Sequence, residues 1–169
     1  SNKLLAVGRL ESQKNYPLLI KSFQNSDLEI DIYGNGSLKK ELTELSIEYN
    51  VKTNFLGKLT YNDLKKEFQK YKIFISTSLF EGNPKSTMEA MSAGCIPIVL
   101  NIPNNRELIV NEFNGYLFEP NDNLEQLVKN ILANVDKSLE VSNNSLKTIK
   151  EKFDIKQICE KEVELITNL

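Results

Sequence analysis

Lys72–Leu100 reads KIFISTSLFEGNPKSTMEAMSAGCIPIVL. Its apolar run Ile73-Phe74-Ile75 has the β-branched and aromatic content of a buried strand. A turn carrying a carboxylate follows, Phe80-Glu81-Gly82-Asn83-Pro84. Ser86–Met91 has a helical pattern and stops at Ala93-Gly94, glycine being the usual residue just past a helix end. A second buried strand, Ile96-Pro97-Ile98-Val99-Leu100, comes next. Strand, loop, helix and strand in this order make a βαβ unit, which sets two strands parallel. In open parallel sheets ligands bind at the carboxyl ends of the strands. The Glu81 loop lies at that edge and leads into a helix N-terminus. There the first-turn N–H groups lack partners and the dipole is positive, so the stretch presents an anion site.

Outside this unit the pattern repeats. Strand-like runs fall at 3–7, 29–33, 53–56 and 115–118. Between them lie helical periods at 17–25, 37–49, 60–71 and 121–135, the second behind Ser37 as N-cap and the third behind a Thr or Asn cap. The segments 138–152 and 154–168 are also helical by pattern, with a break at Phe153-Asp154. Strands alternating with helices predict an α/β, Rossmann-like, three-layer domain. It has a six-stranded parallel sheet, helices on both faces and a helical C-terminal end. No repeat or long linker divides it, so 1–169 reads as a single domain. Ser1-Asn2 reads as a tag remnant, and a start on a buried strand reads as the excised half of a longer enzyme.

Composition narrows the chemistry. The net charge of -2 gives no bulk attraction for nucleic acid or anionic membrane. No apolar run approaches the ~20 residues of a membrane helix. The two cysteines, Cys95 and Cys159, form no zinc or redox motif, and a reducing, cytoplasmic setting is expected. Histidine is absent, which removes histidine bases, triads and His-metal sites from this chain. No Asp-x-Asp loop suggests a metal; Asp31 falls inside a predicted strand.

The first strand leads into Gly8-Arg9-Leu10-Glu11-Ser12-Gln13-Lys14-Asn15. This is neither a G-x-G-x-x-G fingerprint nor a P-loop. Arg9 and Lys14 are either solvated surface charges or, being on the same sheet edge as Glu81, cations for a phosphate. Arg grips through two parallel N–H bonds and Lys acts as a point charge. Glu81 and Glu89 are either a capping acid and a solvated helix residue or the two ends of a ligand site. Carboxylate, helix N-terminus and carboxylate match the layout of a nucleotide-sugar: hexose, diphosphate, ribose.

The segments AVGRLESQKN, YGNGSLKKEL, NFLGKL, FEGNPKSTMEAMSAGCIPIV and NGYLFEPND stand in one order along the chain. In that order they resemble the C-terminal, donor-binding domain of GT-B retaining glycosyltransferases, family 4 or group 1. The resemblance runs from Leu4 to about Leu165. It implies that Arg9 and Lys14 bind the donor diphosphate, Glu81 lies near the donor sugar and Glu89 binds the ribose. With them, Arg9, Lys14 and Glu81 would form the catalytic set. Gly8, Gly82, Asn83, Lys85 and Ser86 would also line the donor, the last four through backbone N–H groups. Gly57-Lys58-Leu59 matches the place of the base. Gly34 and Gly36 match a glycine turn lining the same cleft, although tight turn geometry alone also explains them. Glu107 matches a structural Pro-Glu element. Pro103-Asn104-Asn105 replaces the Gly-Gly pair common before it.

By this resemblance the chain is the donor half of an enzyme that moves a hexose from a nucleotide-sugar, UDP-linked by first expectation, to a carbohydrate or lipid-linked acceptor. It implies no cofactor and no metal. It also implies a missing N-terminal acceptor domain that supplies the absent histidine, with any membrane contact made through that domain. A bacterial cell-surface polysaccharide is the expected product. The rival reading is a non-catalytic nucleotide or nucleotide-sugar binding module, since no residue here does covalent chemistry.

Overall fold

The computed structural model describes residues 2–153. Its frame is a sheet of six parallel strands: β1 (Lys3–Val7), β2 (Glu29–Tyr33), β3 (Lys52–Gly57), β4 (Ile73–Ser76), β5 (Ile96–Leu100) and β6 (Tyr116–Phe118). They lie in the order β3-β2-β1-β4-β5-β6. The chain therefore winds outward from β1 in one direction, then crosses back and winds outward from β4 in the other. Between β1 and β4 the loops leave toward opposite faces, which opens a crevice at the carboxyl edge.

Helices cover both faces, as continuous apolar strands require. They are α1 (Tyr16–Lys21), α2 (Lys39–Glu48), α3 (Tyr61–Phe68), α4 (Lys85–Ser92), α5 (Pro103–Leu108), α6 (Leu124–Ala133) and α7 (Val135–Phe153). Alternate strand residues feed two cores. Leu4, Ala6, Ile73, Ile75, Ile96 and Ile98 pack with Leu19, Ile20, Leu42, Val128 and Ile131 on one side. Leu5, Phe74 and Val99 pack with Phe68, Ala90, Met91 and Leu108 on the other. The Phe68 and Phe74 rings meet at 5.9 Å between centroids, a pairing worth about 0.5–1.5 kcal/mol beyond the burial itself.

All six predicted strands form, and the parallel Rossmann-like sheet is confirmed. Several helix ends differ. Ser37 does not cap α2. Its N–H and hydroxyl donate to the Glu11 carboxylate instead, and Leu38 is the residue before the helix. Thr60 does cap α3, accepting from the Asp63 N–H. The expected helix over 121–135 begins later, behind the Asn123 cap, and ends at Ala133, with α7 starting at Val135. A 3-10 turn at Ser12–Lys14 and the short α5 were not anticipated, because a helix of one or two turns shows no apolar period. Asp31 sits in β2 as expected and is buried, accepting from Tyr71 Oη at 2.7 Å and Asn54 Nδ2 at 2.6 Å. Cys95 is buried, and burial pushes its thiol up to about 12. The final predicted helix and Cys159 lie outside the described residues. Among the described residues no helix is long and apolar enough to cross a membrane.

Candidate functional site

Two loops meet at the crevice, one after β1 and one after β4. They are joined by hydrogen bonds rather than merely adjacent. Thr77 Oγ1 donates to the carbonyls of Lys14 (2.9 Å) and Asn15 (3.0 Å). The Leu79 N–H donates to the Gln13 carbonyl at 3.0 Å, and Gln13 Nε2 donates to the Phe80 carbonyl at 2.7 Å. This seam brings Lys14 Nζ to 2.5 Å from Glu81 Oε1, with side-chain exposures of 16% and 11%. Gly8 makes room for the lysine stem, since a Cβ there would lie 2.9 Å from Lys14 Cε. Beneath them Tyr16 Oη donates to the Gly8 carbonyl. Burial, with the Glu81 charge adding to it, holds that phenol well above its usual range.

On the β2 side of this pair is an open cleft of about 220 Å³. Its lining includes Gly8, Arg9, Gly34, Lys58 and Leu59, so one end of the predicted set does assemble. Tyr33 and Asn35 line it too and were missed; their only signal was adjacency to Gly34. Gly34 is required by backbone contact, because a Cβ there would fall 1.8 Å from the Gly8 carbonyl oxygen. Gly36 does not line the cleft; its missing Cβ clears the Leu10 carbonyl. Gly57, at φ 78, turns β3 out toward Lys58 and accepts from the Gly34 N–H at 2.8 Å.

On the other side a cleft of about 310 Å³ is lined by Gly82, Asn83, Pro84, Met88, Asn104, Glu107, Leu108 and Lys152. Asn104 Nδ2 donates to the Gly82 carbonyl at 2.9 Å. The loop that departs from the Gly-Gly pattern thus holds the turn next to Glu81. At the start of α4, the Lys85 N–H donates to the Asn83 carbonyl at 2.7 Å. Of the four backbone donors predicted around α4, that one is already engaged.

Glu89 is the fifth residue of α4 and lines neither of these clefts. It is half-buried. Loss of solvent holds its carboxyl above the ordinary 4.5, with Lys85 opposing from one turn away. Arg9 is exposed, and its charge helps keep the Glu11 carboxyl low, after the hydrogen bonds from Ser37. Among the described residues no cluster of three or more metal-ligating side chains occurs.

The arrangement is chemically specific: an ion pair at a switch point, a cationic cleft beside it and a helix N-terminus behind it. A poly(glycerol-phosphate) alpha-glucosyltransferase of Bacillus subtilis is 35% identical over 141 residues, 78% of this chain and 20% of that protein. A UDP-Gal:alpha-D-GlcNAc-diphosphoundecaprenol alpha-1,3-galactosyltransferase of Escherichia coli is 36% identical over 125 residues, 69% of this chain and 32% of that one. The chain therefore spans about a fifth to a third of these relatives' lengths. The crystal structure of Anabaena HepE with UDP-glucose superposes with a TM-score of 0.86, at 19% identity over 100% of this chain and 49% of that one, which shows a shared fold. The family of glycosyl transferases group 1 matches residues 1–150, and the chain belongs to it.

Proposed function

We propose that this chain is the donor-binding domain of a retaining glycosyltransferase that moves a hexose from a UDP-sugar to a carbohydrate or lipid-linked acceptor in bacterial cell-surface glycan synthesis. The observation that carries the reading is the hydrogen-bonded seam that sets Lys14 against Glu81 at the switch point. The cleft of Arg9, Lys58 and Leu59 lies on one side of it, and the start of α4 lies beyond. The names of the relatives support it: one is a glucosyltransferase acting on poly(glycerol-phosphate), and the other names UDP-Gal and a diphosphoundecaprenol-linked saccharide. In this reading the base lies by Gly57-Lys58-Leu59 and Glu89 takes the ribose diol. Arg9 and Lys14 hold the diphosphate, and Glu81 orients the hexose. The N–H groups of Gly82, Asn83 and Ser86, which have no hydrogen-bond acceptor among the described residues, add to the anion site. The chemistry asked of these residues is positioning and stabilisation of the departing diphosphate. Two cations, Arg9 and Lys14, and a helix N-terminus meet that charge in place of a divalent ion.

Titration calorimetry of the chain with UDP, GDP and ADP tests the reading. UDP is expected to bind. Lys14→Ala is expected to weaken all three by about tenfold or more, since a charge-assisted hydrogen bond contributes about 1.5–3 kcal/mol. Failure of a folded wild-type chain to bind any of them, or indifference to Lys14→Ala, overturns it.

A further inference from the structure

Lys14 is not waiting for a phosphate. Its ammonium is on Glu81 at 2.5 Å, its stem lies over Gly8, and its backbone carbonyl is fixed by Thr77. Glu81 has no other hydrogen-bond or ion-pair partner among the described residues. We infer that the Lys14–Glu81 pair is a latch that makes the site prefer the nucleotide-sugar over the bare nucleoside diphosphate. The inference rests on the diphosphate site proposed above.

The argument concerns what each ligand leaves behind. A diphosphate must draw the Lys14 ammonium away from Glu81. The carboxylate is then a buried charge beside a second anion, without its cation, which is unfavourable through both desolvation and repulsion. A bare diphosphate offers Glu81 nothing in return. A sugar-bearing donor brings hydroxyl groups that donate to the carboxylate as the lysine leaves it. The same residue pair therefore discriminates against the product: once the hexose has gone, Glu81 recaptures Lys14 and the diphosphate loses its partner. Only the lysine side chain has to move, because the seam through Thr77 holds both loops.

Calorimetry on four chains decides this: wild type, Glu81→Gln, Lys14→Ala and the double variant. UDP, UDP-glucose, UDP-galactose and UDP-N-acetylglucosamine are the ligands, and circular dichroism checks that each variant is folded. Glu81→Gln is expected to tighten UDP by about three- to tenfold and to erase most of any preference for a UDP-sugar. In the Lys14→Ala background the same substitution is expected to give a clearly smaller gain, because only the repulsion is then relieved and no ammonium is freed. If wild type binds UDP and Lys14→Ala weakens it, but Glu81→Gln leaves UDP unchanged or weaker, the latch is wrong and the diphosphate site stands. An equal gain in both backgrounds also overturns it, since simple repulsion then suffices. If no folded chain binds UDP or a UDP-sugar, both the site and the latch fall.

Discussion

At the scale of single residues, the site is set by groups whose freedom has been removed. Gly34 and Gly8 let two backbones and a lysine stem pass at distances no side chain allows. Glu89 is the opposite case, a half-buried carboxylate with no hydrogen-bond donor among the described residues and one lysine a turn away. Its carboxyl is raised above 4.5 chiefly by desolvation. A raised carboxyl binds its proton more tightly in the folded chain than in the unfolded one. Its ionisation therefore costs stability as pH rises through the window above 4.5. Ribose hydroxyls, which donate, favour the ionised form. Affinity for UDP-glucose should thus rise with pH across that same window above 4.5. The ligand's diphosphate, esterified at both ends, stays fully charged throughout. Glu89→Gln should flatten the profile and weaken binding at the upper end. An unchanged profile in Glu89→Gln removes the ribose role.

At the scale of elements, what the sequence made legible and what it hid divide by range. Strands 73–76 and 96–100 were readable because each is a short apolar run between turn residues, and α4 because Gly94 ends it in a left-handed conformation at φ 87. The partnership of the two loops was not readable. Lys14 and Glu81 lie 67 positions apart, and they meet only because β4 pairs with β1 rather than with β3. Resemblance supplied both residues but gave them to different parts of a ligand, not to each other. Ser37 misled for a similar reason: an adjacent helix suggested a cap, while a distant carboxylate, Glu11, took its donors. Thr77, unremarked in sequence, is the element that fixes the seam. Thr77→Val keeps the side-chain shape and removes the donor to the Lys14 and Asn15 carbonyls. It should cost about 1–3 kcal/mol, read as a fall of about 3–10 °C in Tm for a chain of this size. UDP should bind more weakly as well. A normal Tm with normal UDP binding would show that the loops hold without it.

At the scale of the molecule, the proposed reading makes the carboxyl edge one wall of a reaction site. The groups proposed to bind and orient the donor are there: Arg9, Lys14, Glu81 and the start of α4. Groups to receive an acceptor are not evident among them. The sequence has no histidine. The carboxylate nearest the proposed hexose position, Glu81, is paired with Lys14 before a donor binds and with the sugar hydroxyls in the proposed donor complex. Both clefts flanking the ion pair are open, so a donor held as proposed would be open to water, and a transfer reaction needs water excluded and an acceptor hydroxyl placed within about 3–3.5 Å of the reacting carbon. The chain also spans only 20% and 32% of two relatives that carry transferase names. Binding without turnover is the expected behaviour of the chain by itself. Incubated with UDP-glucose and a glycerol-phosphate or lipid-linked saccharide acceptor, it should form no glycoside and release UDP no faster than buffer does. The same donor should still give a binding isotherm. Transfer at the rate of a full-length family member would show that this edge contains a complete active site and that Arg9, Lys14 and Glu81 need no second wall.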